Sequence, residues 1–157
     1  MPHTHHYQAT TRWTGNRGTG TSAYTAYDRG YEMAIPGKAA ILGSSDPAFR
    51  GDKTKHNPEE FLVMSLSSCH MLWYLHLCAE HGVIVTDYAD EAVGTMGENS
   101  DGSGQFTEVI LKPRVTVKEA GMIEKANALH HQANQMCFIA RSVKFPVNHK
   151  PETIALS

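Results

Sequence analysis

Two periodicities alternate along the chain, and each predicts its own kind of element. Tyr7, Ala9, Thr11 and Trp13 fall on one side of a two-residue alternation, which predicts a strand. The glycine-rich stretch TGNRGTG (14–20) reads as a turn leading into a second strand, TSAYTAYD. Asp28-Arg29-Gly30 reads as a further turn before YEMAI. Three short antiparallel strands are the simplest expectation for this part of the chain. PGKAAILGSSDPAFRGDKTKH (36–56) then reads as a long loop, and loops of that length often carry function.

From Asn57 the pattern changes. In NPEEFLVMSLSSCHMLWYLHLCAEHG (57–82), Asn57 suits an N-cap and Pro58 the first helical position. Glu60 stands three residues after the cap, as in a capping box, and Gly82 supplies the stop. The body is apolar on most faces, so a central helix covered on more than one side is expected. VIVTDYADEAVGTMGE (83–98) and QFTEVILKPRVTVK (105–118) read as two long strands, with NSDGSG between them as the turn of a hairpin. EAGMIEKANALHHQANQMC (119–137) has helical spacing at Ile123, Ala126, His130 and Ala133. A last strand is expected in SVKFPVN or ETIALS. The order of strands, helix, strands, helix and strand predicts an α+β fold, and 157 residues is the size of one domain.

Composition narrows the function classes. With 41% hydrophobic and 19% charged residues the chain is globular, and a formal charge of −2 gives no overall attraction to nucleic acid or anionic lipid. MPHTHHYQ has no charged segment followed by an apolar one, so no signal peptide is expected. The apolar helix is interrupted by Ser65, Ser67, Ser68, His70 and His76, which points to a buried helix rather than a membrane span. A cytoplasmic location is the default expectation.

The three cysteines, Cys69, Cys78 and Cys137, match neither a secreted disulfide framework nor a CxxC motif. On a helix Cys69 shares a face with Leu62, Ser65, Leu66, Leu72, Trp73 and His76, while Cys78 lies roughly 180° around. Cys78 therefore reads as a small buried hydrophobe. A reactive Cys69 would need a cation, because apolar burial raises a thiol's pKa. Two arginines stand in glycine-bearing loops, Arg17 in GNRGTG and Arg50 in FRGD. His76 lies two turns beyond Cys69, about 10 Å along the axis, too far to activate it as in a Cys-His hydrolase. His70, His76 and His81 share no helical face, and no HExxH or CxxC zinc pattern occurs. No metal or cofactor is expected.

NPEEFLVMSLSSCH resembles the hallmark of the OsmC/Ohr family of organic hydroperoxide reductases, with Cys69 ten residues after Glu59. QMCFIARSVKFPV around Cys137 resembles the family's second-cysteine segment, and RWTG (12–15) also matches. Phe138 stands where many members have proline. The resemblance implies an OsmC-like fold over residues 1–157, with antiparallel sheets around a long central helix in an intertwined dimer. It implies a thiol peroxidase in which Cys69 attacks an organic hydroperoxide and forms a disulfide with Cys137. Arg50 or Arg17 would activate the thiolate, Arg50 being favoured, and Glu59 would hold that arginine. The implied reductant is a small dithiol of the dihydrolipoamide type. Ten residues of straight helix rise about 15 Å, so Glu59 and Cys69 of one helix do not share a small site unaided. Either a second subunit supplies Glu59, or an arginine held by Glu59 spans the gap. The same fold could instead serve as a non-catalytic binding module for small lipids or thiols.

Overall fold

The capping chemistry at Asn57 sets where the long helix begins. In the computed structural model, which describes residues 2–157, the Asn57 backbone N–H donates to Glu60 Oε1 at 3.0 Å, and the Glu60 N–H donates to Asn57 Oδ1 at 2.9 Å. This reciprocal pair satisfies two amides that a helix start leaves orphaned. Helix α1 then runs unbroken over Pro58–Glu80, and Gly82 adopts φ 73, a left-handed stop that a side chain would strain. By length and composition alone α1 could cross a membrane. Here it packs as a core helix through a stripe of Leu66, His70, Tyr74, Leu77 and Cys78, spaced at three and four residues.

The chain forms two compact units, Met1–Phe61 and Leu62–Ser157. In the first, β1 (Thr10–Trp13), β2 (Tyr31–Ala34) and β3 (Ile41–Gly43) make a three-stranded antiparallel sheet. The sequence expectation of three strands holds, but their places differ. Residues 7–9 lie outside β1, and β3 lies within the segment read as loop. TSAYTAYD is not a strand, because side chains take the carbonyls that a ladder would use. Arg29 donates to the Tyr24 and Tyr27 carbonyls and stacks on both rings, and Arg17 donates to the Thr25 carbonyl.

In the second unit, each of the two long strands read from the sequence is broken. Residues 83–98 become β4 (Val85–Asp90) and β5 (Val93–Glu98), while 104–117 become β6 (Gly104–Leu111) and β7 (Pro113–Val117). The breaks face one another. Asp90 Oδ1 accepts the Lys112 N–H at 2.6 Å, Asp90 Oδ2 accepts the Ser67 hydroxyl at 2.6 Å, and Pro113 opens the next strand. One hairpin therefore feeds two sheets, β4–β7 and β5–β6, both antiparallel. The NSDGSG turn between β5 and β6 is as expected.

The expected antiparallel pairing is present, and each of these pairs gains a parallel third strand. Helix α2 (Ile123–Met136) carries the chain back, so β8 (Val147–His149) joins β6 and β9 (Glu152–Ala155) joins β7. Parallel neighbours need such a long crossover. Of the two stretches expected to supply the last strand, ETIALS contains β9, whereas only the final two residues of SVKFPVN enter β8. The fold is mixed α+β as expected. One apolar cluster joins Tyr74, Leu77 and Cys78 of α1 to Val115 and Val117 of β7 and to Ala126, Leu129 and Ala133 of α2. A smaller one joins Leu66 to Val109 and Leu111 of β6. Gly94 lets β5 lie against α1, since a Cβ there would stand 2.7 Å from Val63 Cγ2 and 2.8 Å from Phe106.

Polar groups also bridge this interior. His70 Nε2 and His130 Nδ1 share a hydrogen bond of 3.0 Å, Tyr74 donates to the Ala126 carbonyl at 3.0 Å, and the His149 ring centroid lies 5.8 Å from both other histidines. Burial, reinforced by neighbouring imidazoles, pushes the His70 pKa down to about 4 and that of His130 to about 3.

Two predictions follow from these contacts. Asn57→Ala removes half of the capping box and is expected to lower stability by about 1 kcal/mol in urea denaturation; an unchanged midpoint refutes that role. His70 and His130 are held neutral in the folded chain, whereas in the unfolded chain they protonate near 6.5. Stability is thus expected to fall as pH drops below about 6.5 toward 4, by up to about 1.4 kcal/mol per pH unit for each histidine. The double variant H70L/H130L should flatten that part of the stability–pH curve, and a slope equal to wild type would refute the assignment.

Candidate active site

Cys69 occupies the edge of the buried stripe of α1, one residue before His70 and three after Leu66. That position leaves it half-buried, with Leu72 one turn on and 63% exposed. Cys137 arrives from α2. It ends that helix with extended backbone (φ −65, ψ 114), and the chain immediately folds into a 3-10 turn over Ala140–Ser142. Its thiol lies beside that of Cys69, close enough for Cys69 to raise its pKa, and is sealed to 1% exposure. The two cysteines separated by 67 intervening residues are therefore neighbours, each with a free thiol.

The electrostatics of the pair are uneven. Burial pushes the Cys137 thiol up to about 11, and the adjacent Cys69 adds to the rise. Backbone N–H groups of Ala140, 3.4 Å from Cys137 Sγ, and of Ile139 pull the other way by donating to the sulfur. Phe138, 67% exposed, sets its ring edge-on to Trp73 with centroids 5.5 Å apart, so aromatic surface borders the thiols. Cys78 lies apart in the main apolar cluster at 1% exposure, its pKa raised by burial. It is core filling, as its helical position suggested.

The other expected site residues belong to the first unit. Glu59, in the first turn of α1, has a buried Oε2 with no hydrogen-bond partner. Its charge, after burial, raises the Tyr31 hydroxyl pKa, so Tyr31 is its neighbour. Arg17 is engaged locally, 3.7 Å from the Asp28 carboxylate besides its bond to the Thr25 carbonyl. Arg50 stands in a left-handed conformation, φ 64, its guanidinium 5.9 Å from the Tyr24 ring centroid. It is the one non-glycine residue with positive φ among the described residues, a costly conformation for a long side chain. Sequence reasoning did not find the Ile139 and Ala140 amides, the Phe138–Trp73 contact or the histidine group. Backbone donors leave no mark in residue identity, and the other two bring His70 and Trp73 of α1 to residues 60 or more positions away. Among the described residues no set of three His, Cys, Asp or Glu side chains is arranged to hold a metal ion.

Residues 51–152 match the OsmC-like protein family. The chain belongs to it. An OsmC-like protein of unknown function from Vibrio cholerae superposes with a TM-score of 0.82 at 31% identity, over 95% of this chain and 100% of its own. An organic hydroperoxide resistance protein OsmC from Legionella pneumophila gives a TM-score of 0.67 at 14% identity, over 94% and 96% of the two chains. An organic hydroperoxide resistance protein from Elizabethkingia anophelis gives 0.68 at 16% identity, over 96% and 98%. These last two share the OsmC-like fold with this chain. No curated protein matches it.

Burial sets Cys78 and Cys137 of this OsmC-like chain apart from Cys69: both are 1% exposed, with thiol pKa raised by burial. A small alkylating agent at pH 8 is expected to modify Cys69 about tenfold or more faster than Cys78 and Cys137 in the folded protein, with the difference vanishing in urea. Peptide mapping after timed quenching reads the rates, and equal labelling of Cys69 and Cys78 in the folded state would refute the ordering.

Proposed function

We propose that this OsmC-like protein is a thiol-dependent peroxidase that reduces organic hydroperoxides to alcohols. The contact between the Cys69 and Cys137 thiols carries the reading. A Cys69 thiolate attacks the distal peroxide oxygen, the O–O bond breaks, and the alcohol leaves with a proton. The resulting sulfenic acid condenses with the Cys137 thiol, releasing water and forming a disulfide. Because Cys137 stands beside Cys69, condensation competes with further oxidation to sulfinic acid. The names of the Legionella and Elizabethkingia hydroperoxide resistance proteins support this chemistry, and the apolar border of Leu72, Trp73 and Phe138 suits a peroxide with an organic tail.

Arg50 or Arg17 is the activating cation in this reading, and Glu59 its anchor. A buried carboxylate oxygen without a partner calls for a bidentate donor, and a guanidinium is the side chain that fits it. The strained backbone of Arg50 favours that residue over Arg17, whose guanidinium is already occupied. The protein acts as a cytoplasmic homodimer and is recycled by a small dithiol or lipoyl-type reductant. One chain leaves apolar side chains of α1 open, Met64 at 43% and Leu72 at 63% exposure, which supports a second copy packing there.

A slight excess of an alkyl hydroperoxide is expected to lower the intact mass by two hydrogens, with a Cys69–Cys137 cross-link in the non-reducing peptide map that a dithiol reverses. In Cys137→Ser the same treatment should instead add oxygen to Cys69. If both thiols stay reduced, the peroxidase reading fails, and a module that binds small lipids or thiols takes its place.

A further inference from the structure

We propose that the reductant attacks Sγ of Cys69 in the Cys69–Cys137 disulfide and that Cys137 is the sulfur that departs. The inference rests on the two-cysteine cycle proposed above and assigns the direction of its reductive half.

Thiol–disulfide exchange is an in-line displacement, so the attacked sulfur must be open on the side opposite its partner. The two sulfurs differ sharply in this respect. Cys137 is 1% exposed, enclosed where α2 ends and the chain turns back through residues 138–142. The turn is held by its own bonds, the Arg141 N–H to the Cys137 carbonyl at 3.1 Å and the Ser142 hydroxyl to the Phe138 carbonyl at 2.7 Å. Cys69 is half-buried on the flank of α1. Access therefore selects Cys69.

Leaving-group ability works against this choice. The Cys137 thiol, raised to about 11, gives a thiolate that departs more slowly than an ordinary one, by on the order of tenfold. Two features of the site offset that penalty. The Ala140 and Ile139 amides already donate to this sulfur and are in place to receive charge as the S–S bond lengthens. Access is also the larger effect, since a sulfur closed to approach does not react at any leaving-group pKa.

One thiolate of a dithiol bonds to Cys69 Sγ, the Cys69–Cys137 bond breaks, and its electron pair stays on Cys137, which takes up a proton. The second thiolate of the same dithiol then attacks the reductant's own sulfur in the mixed disulfide. The reductant closes to its cyclic disulfide, and Cys69 is freed as a thiolate. Two electrons pass from the dithiol to the protein.

The test uses the full-length protein oxidised in parallel with an alkyl hydroperoxide and with diamide, which forms disulfides without peroxidase chemistry. An excess of the monothiol N-acetylcysteine is added, the mixture is acid-quenched within its first turnover, and free thiols are alkylated with a maleimide before peptide mapping. The expected result is N-acetylcysteine on Cys69 and the maleimide on Cys137, in at least about a tenfold excess over the reverse. Adduct mainly on Cys137, or shared evenly, overturns the proposal. If diamide forms the disulfide and peroxide does not, the peroxidase reading fails while the map still decides which sulfur is attacked. If neither oxidant joins the two cysteines, both fall.

Discussion

The register of α1 against α2 is the constraint on which the site depends. Tyr74 reaches the Ala126 carbonyl, His70 bonds His130, and Cys69 meets Cys137, so the partners on α2 advance as the residues on α1 go back. The first two contacts step four residues along each helix, in opposite directions. They are directional, whereas the apolar packing around them tolerates small slips. A slip of one residue on either helix would turn a side chain by about 100° and take Cys137 away from Cys69. The polar bonds thus supply what apolar burial by itself does not, a single longitudinal setting.

This device has a cost. His70 and His130 are fully buried, and beyond their mutual bond each retains a ring nitrogen without a protein partner, as does His149. A buried polar atom left unpaired costs about 1–3 kcal/mol, so an all-apolar version of this interface is a plausible route to higher stability. What the imidazoles add is specificity of packing, at the expense of stability in acid, where the unfolded chain takes up protons that the folded one refuses. Helix register and acid sensitivity are two consequences of one buried pair.

The same geometry gives the two sulfurs different surroundings. Cys69 lies on the border of the stripe that α1 buries, near enough to the core to be sheltered and near enough to solvent to meet a small molecule. Cys137 lies at a helix end, where the chain turns and its own amides close over the sulfur. The roles proposed for them rest on these positions rather than on any difference in side-chain chemistry. The break at Asp90 and Lys112 serves the same end, because splitting one long hairpin into two sheets gives α1 a separate strand surface along each half.

Features governed by interactions within about four residues were legible in the sequence. The capping box at Asn57 and Glu60, the stop at Gly82, the turn between β5 and β6 and the α+β order all follow from local periodicity and turn chemistry, and the structure bears them out. The opposition of Cys69 and Cys78 on the helix was equally local. The NPEE motif with its later cysteine was enough to suggest the family to which the chain belongs. What only the tertiary structure decided depends on distant partners. TSAYTAYD alternates like a strand, yet Arg17 and Arg29 claim its carbonyls. Two continuous strand patterns are cut where Asp90 bonds Lys112, and three histidines on α1, α2 and β8 meet without any shared spacing. The contact of Cys69 with Cys137 is of this second kind, for it exists because two helices cross in one register, and periodicity along a chain carries no information about the register of another helix against it.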